Sequence, residues 1–295
     1  MDLSSFAEAV GASGPVAIAG LGTRGGAVPG LRAVVAPRGI VEFLPAEMTV
    51  RCGAGTPVDE LVAVLAEAGQ TVALPSGGTV GGALSCGRSD VYRLGRGPVR
   101  DTLLQARYVS AEGRVIKAGG ATVKNVSGFD LCRLLVGSVG TLGFLGEVIL
   151  RTRPRPAVTR WFASDEADPF ALLTRVYKAT SILWDGSRTH VCLEGHEADV
   201  EQLAELIPGR REVGGPPPLP NGSRRSLPPQ QLRSLTGPFI AEVGVGIVHH
   251  QDSWTDRPTV SDEVRSLHAR LKRHFDPTER LNPGVDVLTA GGGAR

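Results

Sequence analysis

Apolar positions along the first half of the chain come in short runs of about four to six residues, separated by glycine and proline. Such runs predict strands and turns more than long helices. Val16–Ala19 is a short apolar run ending at Gly20. Ile40–Phe43 and Thr49–Cys52 read as strands joined by a turn at Pro45, and Thr71–Leu74 as another. Leu103–Val109 and Arg114–Lys117 form a predicted hairpin around Glu112-Gly113, and Glu147–Thr152 a further strand. Helical spacing shows in Leu61, Val64, Leu65 and Ala68, with Thr56 as the expected cap, Pro57 at the first helical position, Asp59 completing a capping-box-like pattern and Gly69 as the stop. Ser127 is the expected cap of a helix running through Val136.

Beyond Arg153-Pro154-Arg155-Pro156 the pattern changes to that of a separate α+β unit. Trp161–Ser164, His190–Glu194 and Phe239–Val248 are predicted strands, and Pro169–Thr180 and Asp199–Ile207 predicted helices. Residues 209–231 are too rich in Pro, Gly and Arg to hold a core and read as a flexible exposed loop. An amphipathic helix follows, capped by Ser261, with the stripe Val264, Leu267, Leu271 and Phe275 and a stop at Asp276-Pro277. The resulting organisation is 1–156, 157–250 and 251–295.

Bulk properties narrow the function classes. A net charge of +2 with interspersed signs argues against a dedicated nucleic-acid surface. No apolar run reaches spanning length and the first residues lack a signal-peptide pattern, so the expectation is a cytoplasmic protein. The 4 cysteines are scattered without a CxxC pair, which predicts reduced packing thiols and no zinc or other metal site. Cys86 fits the same description, with no histidine or basic neighbour in sequence to lower its pKa.

Glycine is costly in regular structure and marks positive φ or a close approach to the backbone. It clusters three times. Gly20-Leu21-Gly22-Thr23-Arg24-Gly25 fits GxGxxG after a strand, but Pro29 and Gly30 oppose the helix that a Rossmann site requires. The loop alone is compatible with a surface turn or with a nest of backbone N–H groups for an anion. Ser76–Gly87 would let a flat ligand lie along the backbone, with Thr79 and Ser85 as hydroxyl donors. Gly119–Arg155 holds the third cluster, in which Gly137–Gly143 leads straight into an apolar strand. Lys124 and Arg133 are cations that could meet phosphates or solvent, and Asp130 could cap or neutralise.

Taken together, AGLGTRGG, GGTVGGALSCG, TVKNVSGFDLCRLLVGSVGTLGFLGEVILRTRPRP and the late FDPTERLNPG resemble the FAD-binding domain of the vanillyl-alcohol oxidase / p-cresol methylhydroxylase (PCMH-type) family, and most of all the FAD-binding E subunit of glycolate oxidases. The resemblance covers about half of the chain well. It implies an α+β fold: a PCMH-type FAD-binding domain of two α/β subdomains, a smaller α+β cap domain and a C-terminal helix. It implies FAD, bound without a covalent link, since the first loop has no histidine. Gly20, Leu21, Gly22, Thr23 and Arg24 would bind its pyrophosphate; Thr79, Gly81, Gly82 and Ser85 would line pyrophosphate and flavin. Asp101 would lie near the cofactor, Lys124, Asn125 and Gly128 mark the loop after the hairpin, and Gly140, Thr141, Gly143 and Val148 would flank the FAD. Asn282 would return near the flavin. Ala19 and Leu21 depart from the family's first loop, and a positive φ at Leu21 would be strained.

The metal-binding histidine set of related 2-hydroxy-acid dehydrogenases is missing here, and Gly244–His250 is only a faint echo of it. Adjacent residues of a strand face opposite ways, so only one of His249 and His250 can serve as a catalytic base. The implied activity is oxidation of a 2-hydroxy acid, such as glycolate or lactate, or of another alcohol. The alternative is an FAD-binding, non-catalytic subunit that supports a catalytic flavoprotein and an iron–sulfur subunit, with the 209–231 loop as an interaction element or a plain insertion. An NADPH-dependent flavin reductase of a sugar nucleotide shares the fold class, but the chain has no recognisable acid–serine arrangement for it.

Overall fold

The computed structural model describes residues 1–24, 28, 30–120, 130–252 and 260–290, with the side chains of 289 and 290 aside. The chain forms two compact units. The first comprises Met1–Ser89, Pro98–Arg155 and Thr259–Gly291; the second takes Asp90–Gly97 and Pro156–Pro258, with the last residues of the chain assigned to it. Asp90–Gly97, inside the stretch expected to be one continuous domain, thus packs with the second unit.

In the first unit β1 (Val16–Ala19) runs parallel to β2 (Arg32–Val35). β3 (Ile40–Leu44), β4 (Thr49–Gly53), β6 (Leu103–Val109), β7 (Val115–Gly119) and β8 (Phe144–Arg151) form an antiparallel sheet in the order β3-β4-β8-β6-β7. β5 (Gln70–Thr71) pairs with β9 (Arg153–Pro154), shorter than the strand expected at Thr71–Leu74. β8 is the central strand, and Val50, Cys52, Ala106, Tyr108, Phe144 and Leu150 share one core with Leu61, Leu65 and Leu84 from helices.

The helix Val58–Glu67 follows the apolar spacing, but Thr56 does not cap it. The Thr56 hydroxyl instead accepts the Gly39 N–H at 3.0 Å, and Asp59 accepts the N–H of Gly77 at 3.1 Å. The helix Leu131–Leu135 is capped by Asp130, whose carboxylate accepts from Arg133 N. Ser127, the expected cap, lies outside the described residues.

The second unit is one antiparallel sheet in the order β13-β10-β12-β11-β15-β16-β14. Its strands are β10 (Val158–Ser164), β11 (Ala179–Trp184), β12 (Thr189–Gly195), β13 (Arg211–Val213), β14 (Ser223–Ser226), β15 (Phe239–Glu242) and β16 (Ile247–His250). One face packs Phe162, Ile182, Val191 and Leu193 with Leu172 and Val200 of the helices Pro169–Arg175 and Glu197–Ala204. The other packs Trp161, Leu183, Cys192 and Ile240 with Val91 and Tyr92, which explains why Asp90–Gly97 belongs here.

Three expectations change in this unit. The helix expected over Pro169–Thr180 stops at Arg175, and Ala179 opens β11 instead. Phe239–Val248 is two strands: Gly244 and Gly246 take φ of +86° and +78° and turn the chain into a hairpin. Residues 209–231 are not a featureless loop, since β13 and β14 hydrogen-bond to the two sheet edges and Pro229–Leu232 is a helical turn. Edge strands tolerate a composition that no central strand would.

Candidate functional site

The three glycine clusters meet in the first unit. β1 ends at Ala19, and Gly20 then packs on Thr79, where a Cβ would lie 3.3 Å from the threonine hydroxyl. The positive φ of this loop falls on Gly22, at +71°, and not on Leu21, which is free of that strain and 60% exposed. Arg24 folds across to the second loop and donates to the carbonyls of Gly77 at 2.6 Å, Ser76 at 2.7 Å and Pro75 at 2.8 Å. A guanidinium on three carbonyls is a clamp that fixes two loops against each other.

The second cluster contains a helix that its composition concealed, Val80–Cys86. Thr79 caps it by accepting the Gly82 N–H at 3.0 Å. Gly81 donates to Ala54 O at 2.7 Å, and a Cβ on it would sit 3.0 Å from the Ala54 Cβ. Gly81 therefore serves packing. Ser85 offers its carbonyl to the N–H of Val139 at 2.9 Å, which ties the second cluster to the third.

Val139 is a β-branched residue at φ +45°, a conformation of high cost. It is held there from both sides: its N–H by Ser85, its carbonyl by Asn282 Nδ2 at 2.7 Å. Asn282 Oδ1 accepts the N–H of Ile18 in β1 at 3.0 Å, so one buried amide joins the first loop's strand to the third cluster. Gly140 lies against that amide. The Thr141 hydroxyl is buried and donates to Ser138 O at 2.8 Å. Gly143 fits under Tyr108, whose ring would be 2.5 Å from a Cβ there.

Other expected residues sit elsewhere. Val148 is 1% exposed and is paired on both sides within β8, so it belongs to the core and presents no face to a ligand. Asp101 is exposed, with Arg100 at 3.8 Å as its ion-pair partner. Lys124, Asn125 and Gly128 lie outside the described residues. His249 and His250 are in the second unit on β16. His249 Nε2 is 2.8 Å from Glu242 Oε1, and both side chains are buried. His250 lies against Phe239, at 5.9 Å between ring centroids, and burial lowers its pKa. Near Glu242, burial also pushes the Asp90 carboxyl up.

The C-terminal motif carries residues that the sequence reading passed over. Asp276 is fully buried and accepts from Lys272 Nζ at 2.6 Å and from the N–H groups of Arg280 and Leu281. Lys272 also donates to Thr141 O at 2.9 Å. Arg280 is buried and holds five carbonyls. An acid four residues before an arginine, just ahead of Leu-Asn-Pro-Gly, was the available signal. Cys52, Cys132 and Cys192 are packing thiols: burial pushes Cys52 up to about 12 and Cys132 to about 11, and raises Cys192 as well.

This arrangement fits a nucleotide cofactor. A Cβ on Gly22 would meet no described atom within 4 Å, so this glycine offers bare backbone to open space at positive φ; the N–H groups of Gly77 and Gly137 are already donated, to Asp59 and to Leu84 O. Phosphate and ring systems approach peptide groups most closely at such positions. Replacing Arg24 with methionine should weaken FAD binding about tenfold, the scale of one or two lost charge-assisted hydrogen bonds, with little loss of helix content. A fluorescence titration with FAD measures this, and an unchanged affinity would show that the two loops do not need their clamp.

Comparison with known proteins agrees with this geometry. Residues 11–119 match the FAD_binding_4 family model, described as an FAD binding domain. The glycolate oxidase subunit GlcE of Escherichia coli is 35% identical over 196 residues, 60% of this chain and 54% of that protein. The D-lactate dehydrogenase of Archaeoglobus fulgidus is 34% identical over 142 residues, 46% of this chain and 32% of that protein. The chain thus spans about half the length of the first relative, and less of the second. A solved alkyldihydroxyacetonephosphate synthase superposes on 95% of this chain and 72% of its own length with a TM-score of 0.65. At 14% identity that likeness shows a shared fold and nothing more. Residues 11–119 are thus similar to the FAD binding domain family, and FAD is the cofactor such a domain takes.

Proposed function

We propose that the chain is an FAD-dependent oxidoreductase that oxidises the CH–OH group of a 2-hydroxy acid, such as glycolate or lactate, or of another alcohol. The observation that carries this is the convergence of three glycine clusters, tied by Arg24, Ser85 and Asn282, in a unit whose relatives include a glycolate oxidase subunit and a D-lactate dehydrogenase. When bound, FAD supplies the acceptor for the hydride leaving the hydroxyl-bearing carbon. Backbone groups of the Gly20–Thr23 loop would hold the phosphates, and the Val139–Gly143 turn, with Asn282 behind it, would set the wall of the site.

The hydroxyl proton needs an acceptor. His249 is the candidate. Its Nε2 lies 2.8 Å from Glu242 Oε1, which leaves Nδ1 as the nitrogen not engaged by that carboxylate. The paired carboxylate orients the ring.

A second reading rests on the first unit by itself. No titratable acid–base pair lies on the glycine loops of the first unit among the described residues, and GlcE is by name a subunit. The chain would then be an FAD-binding component supporting a catalytic flavoprotein and an iron–sulfur subunit. An absorbance spectrum separates the two. The purified chain should retain flavin and be bleached by glycolate or lactate. Bleaching only after addition of partner subunits supports the second reading, and failure to bind added FAD defeats both.

A further inference from the structure

Ser138–Thr141 is a tight turn, closed by the Thr141 N–H on Ser138 O at 2.9 Å. Its two central residues, Val139 and Gly140, both have positive φ, +45° and +74°. That is the pattern of a mirror-image, type I′ turn, which favours Asn, Asp or Gly at both places. Gly140 suits it. Val139 does not, since a β-branched side chain crowds its own backbone there. The turn is therefore not specified by its own residues, and its shape has to be imposed by groups packed against it.

Ser85 O, in the second glycine cluster, takes the Val139 N–H. The remaining holds come from one late segment. Asn282 Nδ2 donates to Val139 O at 2.7 Å, and Lys272 Nζ to Thr141 O at 2.9 Å. The same ammonium donates to Leu281 O at 3.1 Å and to Asp276 Oδ2 at 2.6 Å, which uses all of its protons. Asp276 in turn accepts the Leu281 N–H at 2.8 Å, and the Asn282 N–H reaches Val16 O at 2.9 Å. Lys272 thus ties the end of the helix Asp262–Phe275 and the residues that follow it to the turn.

Given the proposal above that FAD lies against this turn, we infer that residues 272–282 act as a clasp with two states, and that Lys272 is a positioning residue for the cofactor wall. Engaged, the clasp keeps Val139 left-handed and the turn in the shape that receives FAD. Released, it lets Val139 return to negative φ, and the turn opens. FAD, which needs the engaged state, stabilises that state by the same factor by which release weakens FAD.

Two measurements on the full chain test this. In FAD titrations, Lys272→Met should weaken binding about tenfold. In a Val139→Gly background the same change should cost about threefold or less, because glycine holds the turn's positive φ unaided. A Lys272 that served stability alone would cost the same in both backgrounds. In amide hydrogen exchange of the parent, saturating FAD should slow the Leu281 and Asn282 N–H groups about tenfold, the reciprocal factor. Should Lys272→Met not fold, the exchange measurement decides alone. A parent that binds FAD with unchanged exchange at Leu281 and Asn282 overturns the inference. So does a Lys272→Met chain that binds FAD like the parent, or an undiminished loss in the Val139→Gly background. A parent that binds no FAD overturns the proposed cofactor site, and the clasp's coupling with it.

Discussion

Replacing Arg280 with methionine is expected to cost about 3–5 kcal/mol of stability, the range for stripping a buried charged group from its partners, and to loosen FAD with it. The side chain is 3% exposed. Nε donates to Gly14 O at 2.9 Å, Nη1 to Gly11 O at 3.1 Å and Ala111 O at 2.9 Å, and Nη2 to Val10 O at 2.6 Å and Ser13 O at 3.2 Å. Those carbonyls belong to the end of the helix Ser4–Val10, the loop behind it and the tip of the β6–β7 hairpin. Each would lose a charged donor at a site that water reaches poorly. The chain from Arg280 runs directly into Asn282, which holds Ile18 and Val139 in place. Lysine should recover only part of the loss, because one ammonium cannot span five carbonyls in a planar fork. Denaturant unfolding and an FAD titration of both variants measure the two effects. A methionine variant as stable as the parent would show that these carbonyls find other donors.

Gly140→Ala is the second large effect, expected at about 2–3 kcal/mol with loss of flavin retention. Gly140 has φ +74°. A Cβ would stand 2.6 Å from Asn282 Nδ2, 3.2 Å from Ile18 Cγ2 and 3.3 Å from Phe144 Cε1. The amide would have to leave Val139 O, and Val139 would lose the bond that maintains its own left-handed backbone. Gly137→Ala is the control. It has a similar φ of +83°, but nothing lies within 4 Å of its would-be Cβ, so it should cost about 1 kcal/mol for the backbone alone. Equal losses in the two variants would mean that conformation, and not crowding against Asn282, sets the requirement for glycine.

Much of the first unit could be read from local pattern. Glycine and proline punctuate its strands, and the β6–β7 hairpin formed around Glu112-Gly113 as its turn chemistry demands. Ser261 caps the last long helix as expected. The order of three glycine loops, with FDPTERLNPG returning late, was enough to identify an FAD domain. Local rules failed where a distant partner outbid a near one. Thr56 turns from its own helix to Gly39, and Asp59 to Gly77. Val80–Cys86 is helical despite two glycines, because Thr79 caps it and Gly81 needs to touch Ala54. Arg24 reads as a phosphate ligand from its loop position, yet its guanidinium is taken by three carbonyls more than fifty positions away in the chain.

The sequence by itself determined where the backbone is bare, because a missing side chain is a local property that no fold can supply. Tertiary structure alone decided which of those glycines face open space and which face another part of the protein. It also set which charges are buried and what they hold. Gly22 and Gly140 share a residue type and a left-handed backbone. One faces open space and the other faces Asn282, 142 residues away, and only the folded chain brings that amide there.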